Sequence, residues 1–312
     1  MKKFLVRLFI FLTPVIIVIG LWEYGLSKIQ NSYSLKRAQL EAQAPKIEVL
    51  VLGGSFTLRG VNPDYFNMKG YNAANVEQSI FYDTRIALKY LDEMTSLKVV
   101  LISVSYNTMW WQTCDGKEPF RDYFYADYWG IRYPAIKWYD INIYSRILQY
   151  GNFTAFQMAL RKFQVNLVQD YRDNGWAPKM RETLPINDSI GLAMAMDRKK
   201  EFKRENLDSN IHDLTHLLEE LKKHKISAVF YTPPVTTSNY KFMEQNRLKT
   251  MDSVMTNLCN AYNCKWYDYH KDSRFTDTDF KDVGHLNPDG ATKFSEIINE
   301  EILEKYSNPQ TN

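Results

Sequence analysis

A chain of 312 residues, 45% hydrophobic and 24% charged, can bury one large core and is neither collagenous nor disordered in bulk. Its formal net charge of +3 is small for a dedicated nucleic-acid binder. No run interleaves clustered Lys and Arg with aromatics in a nucleic-acid motif, so nucleic acid is set aside as a partner.

The chain opens with Lys2, Lys3 and Arg7 ahead of an uncharged run from Leu8 to Trp22, with Trp22 and Tyr24 as interfacial aromatics. That pattern predicts one membrane helix with its charged end cytoplasmic. A cleaved signal peptide is the competing reading, but the one small-x-small site nearby, Ala42-Gln43-Ala44, lies well past the apolar run and is followed by Pro45. The expectation is therefore a single-pass anchor over residues 1–26, with an extracytoplasmic body. Residues 27–45 are polar and helix-compatible and read as a juxtamembrane stalk.

From residue 46 onward apolar, strand-like runs alternate with helical patterns. Ile47 to Leu52 is followed by an amphipathic stretch from Gln78 to Met94 and then by Lys98 to Val104. The alternation resumes with Leu207, Ile211, Leu214, Leu218 and Leu221 at helical spacing, Ile226 to Thr232, a helix through Leu248 to Leu258, and Cys264 to Asp268. Short, continuously apolar strands separated by helices predict an α/β fold, a parallel sheet covered on both faces. Such sheets bind ligands at the carboxyl ends of their strands. Residues 46–312 are thus read as one domain with an aromatic-rich insert at about 106–200, including Trp110, Trp111, Trp129 and Trp138. Two readings of the insert stand: a helical piece that closes the core, or a platform for sugar rings in which Trp110 and Trp111 are substrate-binding candidates.

Ser55, in Leu52-Gly53-Gly54-Ser55, sits where active sites form on a parallel sheet. The glycine spacing matches neither a phosphate loop nor a dinucleotide fold, which leaves a turn serine or a nucleophile. A partner for a nucleophile stands in Phe280-Lys281-Asp282-Val283-Gly284-His285, where Asp282 and His285 are three apart. A local loop can hold that carboxylate on one ring nitrogen and leave the other free to take a serine proton. Arg59 and Asp64 either bind an anionic substrate or pair with each other. His212 and His216 share a helical face without a zinc motif, and Cys114, Cys259 and Cys264 fit no zinc spacing, so neither metal nor other cofactor is expected. Cys259 and Cys264 either pair across a small loop or remain thiols.

The two blocks, Leu52 to Phe66 and Phe280 to Ser295, resemble the SGNH or GDSL serine hydrolases, in particular a branch associated with bacterial envelope and exopolysaccharide O-acylation. The resemblance covers about Lys46 to Met94 and Asn206 to Glu304. It implies a three-layer αβα sandwich, an acylated Ser55, and His285 and Asp282 completing a triad. It also implies acylated carbohydrate or polysaccharide as substrate, and a membrane-bound acyl-donor protein as a partner. Esterase and O-acyltransferase share this machinery, and a non-catalytic carbohydrate-binding or polysaccharide-assembly protein is the alternative. Two departures stand out. Gly54 replaces the family's usual Asp, and the oxyanion blocks lack their glycines, leaving Asn75 and Asn107 as donor candidates beside Asn72.

Overall fold

The computed structural model describes residues 1–168, 170–178 and 185–307. In chain order it forms α1 (Lys2–Ser27), α2 (Ser32–Gln43), β1 (Val49–Leu52), α3 (Ser55–Gly60), β2 (Gly70–Asn72), α4 (Ile80–Tyr90) and β3 (Val99–Ser103). Four helices follow: α5 (Arg121–Phe124), α6 (Arg146–Tyr150), α7 (Asn152–Leu160) and α8 (Asp188–Glu201). The second alternation supplies α9 (Arg204–Lys223), β4 (Ser227–Thr232), α10 (Thr237–Tyr240), α11 (Gln245–Tyr262), β5 (Lys265–Asp268) and α12 (Pro288–Ile298).

The five strands make one wholly parallel sheet in the order β2-β1-β3-β4-β5. Its centre is buried on both faces, which is why β1 and β3 are unbroken apolar runs instead of alternating ones. Val49, Val51, Val99, Leu101, Val229 and Tyr231 point one way and pack against Phe294, Ile297 and Ile298 of α12. Leu50, Leu52, Val100, Ile102 and Phe230 alternate to the other face and are fully buried there. On that side α4 and α9 pack together, and α9 lies against β4 through a stripe that includes Leu214, Leu217, Leu218 and Leu221. The expected α/β sandwich is the architecture observed.

The chain divides into two compact units, Met1–Leu35 with Phe120–Gln169, and Lys36–Pro119 with Asp170–Asn312. The aromatic region at 106–200 is therefore shared out, since only its middle part joins the unit that contains α1. Within that unit α1 is the one helix, among the described residues, long and apolar enough to cross a membrane.

The stalk reading of residues 27–45 fails in the stretch from Lys36 onward, which is docked on the sheet unit. Lys36 is fully buried, its amine donating to the carbonyl of Asn72 at 2.7 Å and to that of Ala74. The Tyr71 hydroxyl donates to the Lys36 carbonyl at 2.9 Å, and Leu40 and Ala44 are buried alongside. A polar sequence packs here because its buried amine is met by carbonyl oxygens, while burial and the nearby Arg59 charge push its pKa well below the usual lysine value.

Candidate active site

β1 delivers the chain to the carboxyl edge of the sheet and Gly53 turns it. Gly53 has φ +149, and an added Cβ would meet Thr57 Oγ1 at 2.5 Å and Ser103 Cβ at 2.7 Å, so both conformation and space require glycine. Its amide donates to Asp83 Oδ1 of α4 at 2.8 Å, which ties the turn down. Ser55 then begins α3, one residue after the N-cap Gly54, so it is not itself the cap. The first amides of a helix have no intrahelical partner, and Ser55 supplies one of them.

The opposing residues come from a loop closed on itself. Phe280 bridges Leu286, the Lys281 amide donates to the His285 carbonyl at 2.8 Å, and Thr236 Oγ1 donates to the Val283 carbonyl at 2.8 Å. Asn287 caps α12 by accepting from the Gly290 amide at 2.9 Å, with Pro288 at the first helical position. The stretch Asn287 to Gly290 is thus the cap and first turn of α12. Inside the loop Asp282 Oδ1 accepts from the amides of Gly284 and His285, both at 2.8 Å, and His285 Nδ1 lies 2.9 Å from Oδ2. Burial pushes the Asp282 carboxyl up, but the hydrogen bond and charge of His285 and the two amides outweigh it and hold the group below its ordinary value.

His285 Nε2 lies 2.9 Å from Ser55 Oγ. The three residues singled out from sequence therefore form a continuous hydrogen-bonded line from carboxylate to hydroxyl. The Phe56 ring lies 4.7 Å, centroid to centroid, from the imidazole. In front of the serine is a cavity of about 40 Å³ whose lining includes Phe56, Glu77, Gln78, Asn107, Trp111 and Arg198. Larger clefts of about 420 and about 650 Å³ lie elsewhere and lack these residues. Hydrogen-bond geometry, not volume, selects the site.

The other sequence candidates divide. Asn107 and Trp111 line the serine cavity. Asn75 is buried outside that lining, its side-chain oxygen accepting from the Val76 amide at 2.9 Å. Asn72 donates to the carbonyls of Thr57 and Val61, fastening α3. Trp110 is also outside the lining, packed near Tyr106 with the Arg247 guanidinium 5.5 Å from its ring, so its role is core packing. Arg59 donates to the Ala177 carbonyl at 2.6 Å, and Trp176 donates to the Arg59 carbonyl, which ties residues 176–177 to α3 and leaves Arg59 outside the cavity lining. Phe56, Gln78 and Arg198 were not foreseen as lining residues. Phe56 adjoins the serine in the motif, whereas Arg198 carries no local signal.

Residues 188–301 match the family model described as DltD protein, a stretch that contains Asp282 and His285 but not Ser55. No curated protein sequence shows significant similarity to the chain. Among solved structures, a candidate acylhydrolase from Bacteroides fragilis NCTC 9343 is similar at 13% identity and TM-score 0.44, covering 88% of this chain and 99% of that one. A GDSL-like lipase from Bacteroides thetaiotaomicron VPI-5482 is similar at 11% identity and TM-score 0.41, covering 88% and 100%. The family-model match takes in the second of the two sequence blocks, Phe280 to Ser295, and not the first, Leu52 to Phe66.

Proposed function

We infer that this SGNH-type chain is a serine acyl-ester enzyme of the cell envelope, acting on acyl groups of carbohydrate or polysaccharide as an O-acetyltransferase or esterase. The observation that carries the reading is the 2.9 Å approach of His285 Nε2 to Ser55 Oγ, with Asp282 behind the ring. Ser55 Oγ attacks the ester carbonyl while His285 Nε2 takes its proton, and Asp282 holds the imidazolium that results. The carbonyl oxygen, now an anion, is received by the Ser55 amide and the Asn107 side chain. His285 returns the proton to the departing oxygen, which leaves an acyl-serine. Water or a sugar hydroxyl, deprotonated by the same nitrogen, then releases the acyl group.

The cavity supports a small acyl group. A space of about 10–15 Å³ by this measure holds one water, so one of about 40 Å³ takes roughly three such groups, the size of an acetyl. We assign α1 to the membrane as a single-pass anchor with the enzyme outside the cytoplasm, supported by Lys2, Lys3 and Arg7 ahead of the apolar run. A membrane-bound protein is then a natural acyl donor. The test is labelling by a fluorophosphonate together with hydrolysis of p-nitrophenyl acetate. Wild type should label and turn over, and Ser55→Ala should lose labelling and about 10⁴-fold or more in rate. Equal turnover by wild type and Ser55→Ala would remove the nucleophile.

A further inference from the structure

The unit that contains α1 exposes a second apolar surface beyond that helix. α7 turns Ala155 and Met158 inward, where they cluster with Leu26 and Ile29 after the apolar run of α1. On the opposite side Phe153, Phe156 and Leu160 are 73%, 50% and 68% exposed. At 3.6 residues per turn these three fall within an arc of about 60°, so they form one stripe. The segment leading to α7 leaves Trp138, Tyr139, Ile141 and Tyr144 exposed as well. A soluble surface seldom gathers so many large apolar side chains in one short stretch.

The attachment of α7 to α1 is specific. The Trp22 indole donates to the Ala155 carbonyl at 3.1 Å. The Glu23 carboxylate accepts from the Ser145 hydroxyl at 2.6 Å and from the Arg146 amide at 2.8 Å, capping the start of α6. α6 and α7 are therefore fixed to the last turns of α1, where its apolar run ends.

We propose that α7 and the preceding aromatic segment lie in the membrane interface, as a second contact with the lipid beside α1. The proposal rests on the reading of α1 as a membrane helix. The apolar run of α1 ends at Trp22, and the indole of that residue holds α7, so bilayer around α1 reaches α7 and is the occupant that fits both. A helix of nine residues is only about 14 Å long, against about 30 Å of hydrocarbon, so α7 lies along the surface and does not cross. Trp and Tyr suit the headgroup level, and Arg161 and Lys162, exposed after the end of α7, suit lipid phosphates. The consequence is a unit held flat against the membrane and not swinging from a tether.

The test uses the full chain reconstituted into phosphatidylcholine vesicles containing phosphatidylglycerol, with Phe9→p-benzoylphenylalanine or Phe156→p-benzoylphenylalanine as a photoreactive probe of similar shape. Irradiation and mass spectrometry should find lipid adducts at both positions, in comparable yield. Adducts at 9 with none at 156 would overturn the interfacial assignment and leave the anchor standing. Adducts at neither position would overturn the anchor and this proposal with it. In a second measurement, Phe153→Ser with Leu160→Ser in the Phe156 probe chain should lower the adduct yield at 156 several-fold and leave that of the Phe9 probe unchanged. An unchanged yield at 156 would show that the stripe does not hold α7 in lipid.

Discussion

Phe56 borders the serine cavity and also a second space of about 10 Å³ lined by Tyr106, Asn107, Val235 and Met243 among others. That space holds at most one water, so the ring marks the end of the acyl site. Phe56→Ala should join the two spaces and raise the ratio of kcat/KM for p-nitrophenyl butyrate over acetate by about tenfold, the effect of one or two newly buried methylenes. If both esters slow in proportion, the ring only packs His285 and acyl length is set elsewhere. Asp83 is a second residue with a measurable consequence. Its Oδ1 accepts from the Gly53 amide at 2.8 Å and from Gln78 Nε2 at 2.6 Å, and complete burial pushes the carboxyl from an ordinary 3.8 up to about 7. Because the folded state holds this proton more tightly, the stabilisation is complete below the unfolded value and is lost as pH rises through the folded one. The slope is about 1.4 kcal/mol per pH unit between the two values. Asp83→Asn keeps an oxygen for both donors and carries no charge. Its melting temperature should stay level from about pH 4 to about pH 7, where that of wild type falls by comparison. Parallel profiles for the two proteins would place the ionisation of Asp83 elsewhere.

At the level of elements, β1, β3 and β4 were legible because strands buried on both faces leave continuous apolar runs bounded by turn residues. β2 was not, since Gly70-Tyr71-Asn72 is three residues long and is held at the sheet edge by neighbours distant in sequence. The Asp282 to His285 loop was legible from spacing, because its hydrogen bonds are nearly all local. The approach of Ser55 to that loop is set by the sheet; residue types offer the nucleophile and its partner, and the resemblance of the two blocks adds to that pairing. Residue type alone leaves Arg59 open between an anionic substrate and Asp64 and makes Trp110 a candidate sugar platform, whereas long-range contacts decide both: Arg59 is engaged by the Ala177 carbonyl and Trp110 packs beside Tyr106. Helix α2 misled for another reason. Its polarity resembles a solvated stalk, while the buried amine of Lys36 meets two carbonyl oxygens. Lys36→Ala should therefore cost about 2 kcal/mol or more, whereas Glu93→Ala, an exposed change, should stay within about 0.5 kcal/mol. Denaturant midpoints of the two variants decide this, and equal values would return α2 to the role of a stalk.

For the molecule as a whole, the open question is whether the acyl group goes to water or to a sugar. Of the aromatic region, Trp111 is the tryptophan that lines the serine cavity, with Arg198 of α8 beside it. Trp138 and Tyr139 lie exposed in the unit with α1 and are assigned above to lipid. A platform for an acceptor therefore narrows to the Trp111 ring, because the Arg198 guanidinium is held by the Glu201 carboxylate at 3.0 Å. Water stands at about 55 M, so a bound hydroxyl wins only with the effective molarity that good orientation supplies, on the order of 10⁵ M. We expect transfer. The full chain in vesicles, given an activated acetyl donor with and without envelope oligosaccharides, should form acetyl-sugar at the expense of free acetate, as followed by mass spectrometry. Trp111→Ala should shift that partition toward acetate while Ser55 still labels with fluorophosphonate, because the ring positions the acceptor and not the nucleophile. Trp110→Ala, buried outside the cavity, should change stability and leave the partition alone. If every glycan in the panel yields only acetate at an unchanged rate, the acyl-serine is meant for water and the enzyme is an esterase. If acetyl-sugar forms and Trp111→Ala leaves the partition unmoved, transfer stands and the acceptor is held without that ring.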